Sequence, residues 1–101
     1  MKSLRNRLIV ARELIQKGWG KGSYYYLGRY CLAGAVFRAR RPEFHFGDSA
    51  EDEIGITDKE LSAFGFQVAS DLAAWNDAPE RTQAQVLALL THAINKLEKK
   101  R

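Results

Sequence analysis

The chain has 101 residues, of which 46% are hydrophobic and 28% charged, and its formal net charge at pH 7 is +4. This size supports one domain with one hydrophobic core, and the low proline and glycine content argues against a disordered or fibrous chain. The longest apolar run, residues 31–37, is far shorter than the ~20 residues of a membrane-spanning helix. The lone cysteine excludes an intrachain disulfide, and residues 1–5 lack the features of a secretory signal, so we expect a cytoplasmic location.

Charge is separated along the chain. Residues 1–41 contain ten Lys or Arg and one acid, whereas residues 42–80 contain ten acids and one Lys. Residues 81–101 are basic again. Opposite fields of this kind steer and orient association between molecules, but they indicate no particular reaction. They therefore favour a binding protein over an enzyme.

The first 41 residues predict a helix, a hairpin and a second helix. Ser3 is suited to cap a helix whose apolar residues recur every three or four positions and which ends at Gly18. A turn-rich link follows, and the aromatic residues after it predict a short hairpin. The small residues of the segment 32–40 predict a short helix that packs closely against a neighbour and ends before Pro42.

The remaining residues predict an acidic loop over 42–56 and further helices. Thr57 and Thr82 each begin a capping box, in which the threonine and a residue three positions later exchange hydrogen bonds with the backbone. The apolar spacing after Thr57 predicts one continuous helix as far as Trp75, and the turn residues that follow separate a last helix. We therefore predict a mainly α fold in a single domain: a compact bundle of three longer helices plus one short helix, with a small β-hairpin near residues 24–32.

Three short patterns stand out in the sequence: Trp19-Gly20-x-Gly22, Cys31-Leu32-x-Gly34-Ala35 and Trp75-Asn76-Asp77-x-Pro79-x-Arg81-Thr82. Together they resemble an uncharacterised family of small bacterial and phage proteins of unknown function. The similarity covers most of the chain, and the Trp-Asn-Asp turn is its most specific part. The resemblance implies a compact fold and a bacterial or phage origin, and it implies no activity, cofactor or partner. The acidic loop has no clear counterpart in these patterns.

Cys31 is the one candidate nucleophile with possible partners, namely His92 or His45 as the base and Asn76 or Asp77 as an orienting group. No local motif brings a histidine to it, and its apolar surroundings are typical of a buried, inert thiol. A Cys31-dependent hydrolase is thus an unfavoured alternative, and we expect no enzymatic activity. One cysteine and two distant histidines also predict no metal site, and we expect no cofactor.

For two further groups of residues, a structural role is sufficient explanation, and no catalytic or ligand-binding role is needed. The glycines at positions 18, 20 and 22 beside Lys21 match neither the Walker pattern nor the dinucleotide fingerprint, so they predict a flexible turn. Asn76 and Asp77 lie at a corner between helices, where their side chains commonly bind nearby backbone amides. We expect their role to be architectural.

The basic and aromatic stretch over residues 21–41 provides an alternative function, the binding of nucleic acid. Cations bind phosphates and aromatic rings stack on exposed bases, so these residue types together suit a nucleic acid. The acidic middle segment would repel a polyanion unless it lies on the opposite side of the molecule. The residues of this alternative are Lys21, Tyr24, Tyr25, Tyr26, Arg29, Arg38, Arg40 and Arg41.

The acidic loop provides the favoured function, the binding of another protein. Its carboxylates are suited to a basic surface on that partner, and small phage proteins that block host defence enzymes often act by occupying such surfaces. We therefore interpret the chain as a non-enzymatic interaction module without membrane contacts, with inhibition of a host or defence protein as its expected role. This interpretation requires the charged segments to face outward instead of pairing with each other. The residues of this surface are Asp48, Glu51, Asp52 and Glu53.

Overall fold

The computed structural model describes residues 2–46, 55–68 and 71–99. These residues are mainly helical and contain one two-stranded antiparallel sheet, which confirms the predicted fold class. Across the described ranges, no helix combines the length and the apolar character needed to cross a membrane. The elements in chain order are α1 (Leu4–Lys17), β1 (Tyr25–Tyr26), β2 (Arg29–Tyr30), α2 (Leu32–Arg40), α3 (Asp58–Phe64), a 3-10 helix (Gly65–Val68), α4 (Leu72–Asp77) and α5 (Gln83–Lys99).

Three helices, α1, α3 and α5, begin at the caps that the sequence predicts. The Ser3 hydroxyl accepts a hydrogen bond from the Asn6 amide at 3.2 Å at the start of α1. Thr57 and Thr82 each form both hydrogen bonds of a capping box, before α3 and α5 respectively. These contacts satisfy amides that have no partner within the helix, so local sequence determines where each helix starts.

The hydrophobic core lies between α1 and its two neighbours. α1 packs against both α2 and α5, and its fully buried residues Leu8, Ala11 and Ile15 form the apolar stripe predicted from their spacing. Full burial of one large aliphatic side chain contributes about 1.5–3 kcal/mol, so this stripe is a main source of stability. α2 is the most enclosed element, because every residue from 31 to 37 is buried.

Close packing of α2 against the hairpin depends on Gly34. The amide of Cys31 donates a hydrogen bond to the carbonyl of Tyr24 at 3.3 Å, which brings the strand β1 onto the start of α2. A Cβ atom on Gly34 would overlap that same carbonyl group. The glycine is therefore required by the space between two backbones, as the small residues of this segment suggested.

The prediction of one continuous helix from Thr57 to Trp75 is wrong. α3 ends at Phe64, because Gly65 takes a φ of 69°, a left-handed conformation that favours glycine. α4 then starts anew, with the Asp71 carboxylate accepting a hydrogen bond from the Ala74 amide at 3.0 Å. The apolar spacing still marks buried positions along this segment, so the core prediction holds although the backbone changes direction.

Replacement of Gly34 by alanine tests the backbone approach. We expect Gly34→Ala to lower the free energy of unfolding by about 2 kcal/mol, because overpacking outweighs the gain in helix propensity. Gly55→Ala is the matched control, since a Cβ atom at Gly55 would meet nothing within 4 Å and its effect should stay within about 0.5 kcal/mol. Urea unfolding of both variants measures the difference, and equal stability would contradict the role of Gly34.

Candidate functional site

Asn76, near the end of α4, is fully buried, and both polar atoms of its side chain have partners. Its Oδ1 atom accepts hydrogen bonds from Trp19 Nε1 at 2.6 Å and from the Leu32 amide at 3.0 Å. Its Nδ2 atom donates to the Gly20 carbonyl at 3.1 Å and to the Asp77 carboxylate at 2.9 Å. A buried amide is costly unless it is bonded in this way, so the arrangement holds three distant segments together.

The glycine-rich link before the hairpin is attached to the same place. The Gly22 amide donates to Asp77 Oδ1 at 3.2 Å, and the Lys21 ammonium donates to two backbone carbonyls just after α4, at 2.7 and 3.3 Å. These contacts attach the link to the end of α4 and agree with an architectural role for Asp77. The three sequence patterns therefore meet in one asparagine corner, formed by residues 19–22, 31–35 and 75–79.

Cys31 has a structural task at the start of α2. Its Sγ atom accepts a hydrogen bond from the Gly34 amide at 3.3 Å, so the thiol caps the helix. Burial raises the pKa of the Cys31 thiol, which disfavours the nucleophilic thiolate. Both His45 and His92 are exposed, and neither hydrogen-bonds to Cys31. Within the described ranges, no three His, Cys, Asp or Glu side chains are grouped as metal ligands.

Arg38 braces the segment that follows α2. Its Nε atom donates to the Tyr30 hydroxyl at 3.2 Å, and its Nη1 atom donates to the backbone carbonyls of residues 42 and 44. Its guanidinium also lies over the ring of Phe46 at 4.7 Å from the centroid. The internal contacts of this arginine therefore compete with the phosphate binding that its sequence context suggested.

Arg40 and Arg41, the other two arginines of this cluster, bind acids of the middle segment. Arg40 Nη1 lies 3.1 Å from Glu60 Oε1, and its Nη2 donates to the Gly55 carbonyl at 2.6 Å. Arg41 Nε donates to the Glu43 carboxylate at 2.6 Å, and this hydrogen bond lowers the pKa of Glu43. The basic and acidic segments thus pair with each other here, so the requirement that they face outward is not met by these residues.

Glu60 is the most enclosed acid in the described chain. One of its oxygens accepts from both Arg40 and the Thr57 amide, and the other lies 3.6 Å from Arg7 Nη1. A fully buried carboxylate needs partners of this kind, because desolvation disfavours an isolated charge. Part of the charge separation therefore serves the interior. The predicted protein-binding acids Asp48, Glu51, Asp52 and Glu53 lie outside the described residues, so their role stays a prediction.

The aromatic residues of the hairpin divide into packed and exposed ones. Tyr24 is half-buried at the start of the hairpin, and the Tyr25 ring packs on Tyr30 and Phe46 with centroids 4.8 and 5.6 Å apart. Tyr26, by contrast, is 64% exposed. Of the eight residues in the predicted nucleic-acid surface, Tyr25, Tyr26 and Arg29 are exposed, and their side chains make no hydrogen bond or ion pair with the described chain.

The tip of the hairpin carries a residue that the sequence reasoning missed. Leu27 is 80% exposed and has a φ of 48°, while the next residue, Gly28, has a φ of 84°. Positive φ at both central residues is typical of a type I′ turn, which prefers asparagine followed by glycine. A leucine here is unfavourable both for the backbone and for solvation. The sequence did contain a sign of this exposed leucine: Leu27-Gly28 stands between two aromatic segments, at a turn position where polar residues are usual.

These features define a small, mainly helical domain that is organised around one buried asparagine and displays an apolar hairpin tip. The chain belongs to the family of unknown function DUF6197, which it matches over residues 2–96. This confirms the resemblance to an uncharacterised family. Comparisons with curated proteins and with solved structures find no match.

Removal of the Asn76 side chain tests the corner. We expect Asn76→Ala to lower the free energy of unfolding by about 4 kcal/mol, because it leaves two N–H groups and a carbonyl without their partner in a buried site. Asn95→Ala, on the exposed side of α5, should change stability by less than about 0.5 kcal/mol. Urea unfolding followed by tryptophan fluorescence provides the comparison, and a small effect at Asn76 would contradict the central role of this residue.

The reactivity of Cys31 tests its assignment as a cap. We expect the native thiol to resist a disulfide reagent near pH 8 and to react in full once the chain is unfolded, because burial hinders access and raises the pKa of Cys31. As the pH rises above the ordinary thiol value of 9.0, the unfolded chain loses this proton before the native one does, so stability should fall. Rapid stoichiometric labelling of native protein would contradict a capping thiol.

Proposed function

We propose that this protein is a non-enzymatic module that binds another protein by inserting its hairpin tip into an apolar pocket of the partner. The observation that carries the proposal is Leu27, a large apolar residue that is 80% exposed in a left-handed conformation. For a residue other than glycine, this conformation costs about 1–2 kcal/mol. The unfavourable placement is explained if the side chain becomes buried in a complex.

The energies support a protein pocket as the site of burial. Complete burial of a leucine contributes about 1.5–3 kcal/mol, which offsets the backbone cost, and Tyr26 beside it has the character of an interface anchor. A membrane surface is less suitable, because even a whole myristoyl chain, at about 0.8 kcal/mol per CH₂ group, binds bilayers only marginally. One exposed leucine and one tyrosine provide far less apolar surface.

The base of the hairpin favours binding because it is held in one conformation. Tyr30 donates its amide to Gly18 and accepts from the Gly20 amide, at 3.0 and 3.1 Å, so β2 is bonded to the link on its other side. The ring of Tyr25 packs on those of Tyr30 and Phe46 below the tip. Little conformational entropy is lost when such a preorganised element binds.

The charge beside the tip indicates the chemistry of the partner. Arg29, which is paired with Tyr26 across the hairpin, is exposed, and its aliphatic part lies along Gly20. A pocket for Tyr26 and Leu27 with carboxylates at its rim would complement this arrangement. The acids at positions 48 and 51–53, which the sequence analysis assigned to protein binding, would provide a second contact, with a basic surface of the partner. We further propose a bacterial or phage origin, a cytoplasmic location and inhibition of a host or defence protein as the role.

Nucleic-acid binding receives less support from the contacts. Arg38 and Arg40 have internal partners, Tyr24 is half-buried and Tyr25 packs on Tyr30, which leaves Tyr26 as the most exposed ring of the described hairpin. One stacked base contributes about 1–3 kcal/mol, too little alone for a stable complex. A Cys31-dependent hydrolase is likewise less supported, because the thiol caps α2. The nucleic-acid alternative is an outcome of the test below.

The substitution Leu27→Asn separates binding from folding. Asparagine tolerates a positive φ, so the variant should be more stable than the wild type by about 1 kcal/mol while its affinity for the partner falls about tenfold or more. Ala84→Asn, at an exposed position of α5, is the control and should bind normally. Thermal unfolding and capture from nuclease-treated bacterial lysate provide the two readouts.

Two further experiments identify which surface of the protein binds the partner. Reversal of Glu51, Asp52 and Glu53 to lysine should also abolish capture with nearly unchanged unfolding, if the acidic segment is the second contact. Capture that is lost on nuclease treatment, or binding to an oligonucleotide that weakens steeply with salt, would support the nucleic-acid alternative instead. Normal capture by Leu27→Asn would overturn the proposed use of the hairpin tip.

A further inference from the structure

An open groove lies where the end of α4 meets α5, apart from both the buried Asn76 and the hairpin tip. Its volume is about 410 Å³, within the range of small-molecule sites. Its walls combine one aromatic ring, two apolar side chains and three side chains with N–H donors, and no carboxylate lines it. The lining residues are Trp75, Arg81, Gln85, Ala88, Leu89 and His92.

Arg81 is held in place by Trp75. Its Nε atom donates to the Trp75 carbonyl at 2.8 Å, and its guanidinium carbon lies 3.8 Å from the centroid of the Trp75 ring. No acceptor within the described ranges binds Nη1 or Nη2. The terminal N–H groups of a fixed guanidinium form a fork that matches the two oxygens of a carboxylate or phosphate group.

Gln85 adds a second oriented donor. Its Oε1 atom accepts from the Thr82 amide at 3.0 Å as part of the capping box. This bond directs the side chain, and the Nε2 amino group has no acceptor in the described part of the chain. Two donor groups of one groove are thus positioned by other contacts and have no acceptor in the described chain, so they are free to bind a ligand that supplies acceptors.

We propose that this groove binds a small molecule with an oxyanion group, a carboxylate or a phosphate, attached to a flat apolar body. The oxyanion accepts hydrogen bonds from Arg81, Gln85 and His92, and the apolar body packs against Trp75 and Leu89. This proposal is independent of the hairpin tip, because it rests on different residues and a different ligand class. A purely structural brace between Arg81 and Trp75 is the competing explanation.

Benzoate, phenyl phosphate and neutral benzamide are suitable probes for the groove. NMR titration should shift the signals of the Trp75 indole N–H and the Arg81 Nε–H with benzoate or phenyl phosphate, at a dissociation constant of about 1 mM for ligands of this size. Benzamide should bind at least about tenfold more weakly, because it lacks the negative charge. The anion with the lower dissociation constant, benzoate or phenyl phosphate, identifies which oxyanion the groove prefers.

Variants distinguish a ligand site from a brace. Ala88→Leu fills the groove from an exposed helical position without removing any hydrogen bond, so it should fold normally and abolish the shifts. Arg81→Gln should weaken anion binding about tenfold, whereas Lys96→Gln removes the same charge from α5 outside the groove and should leave binding unchanged.

Three results would each overturn the proposal. These are the absence of shifts at Trp75 and Arg81 with either anion, equal binding of benzamide and benzoate, or equal weakening by Arg81→Gln and Lys96→Gln. The last result would indicate general attraction of anions to a basic surface. A fourth result would also overturn it: if Ala88→Leu binds as well as the wild type, the anion lies elsewhere and the groove is not its site.

Discussion

The hydrogen bonds of Asn76 are the interaction on which the rest of the structure depends. One buried amide joins the indole of Trp19, the first amide of α2 and the carbonyl of Gly20. Such a network specifies a unique arrangement, because any other packing would leave buried polar groups without partners. The Asn76 network also fixes the position of the hairpin, because the link before the hairpin and the helix after it are both hydrogen-bonded to the Asn76 side chain.

Electrostatics serve two purposes in this chain. Some of the separated charge is used inside, where Arg7 and Arg40 surround the buried Glu60 and connect α1, α2 and α3. Removal of one partner from such a cluster is far more harmful than the pair is beneficial, so these groups maintain the fold and cannot be counted as a binding surface. Arg29, at the hairpin, is exposed and forms no ion pair in the described part of the chain.

The two proposed sites have different physical origins. At the hairpin tip, the proposal of a surface that becomes buried in a complex rests on the unfavourable conformation and the exposure of Leu27. In the groove, the proposal rests on oriented donors that have no acceptor in the described chain and that suit a ligand with negative charge.

The sequence alone determined the features that depend on neighbouring residues. The caps at Ser3, Thr57 and Thr82, the end of α1 at Gly18 and the apolar stripe of α1 were all predictable, because their interactions span three or four positions. The break at Gly65 was missed because apolar spacing continues through it, and periodicity records which positions are buried without recording a change in backbone direction.

Only the tertiary structure decided which polar groups are used inside and which remain for function. The sequence placed Asn76 at a helical corner, but its partners at Trp19 and Leu32 are 57 and 44 residues away. Likewise, the sequence around Arg38 and Arg40 suggested a surface for phosphates. In the folded chain, Arg38 binds backbone carbonyls and Arg40 binds Glu60 instead. Local patterns determine the conformation of a segment, whereas the satisfaction of buried charges and amides depends on groups that approach each other only when the chain is folded.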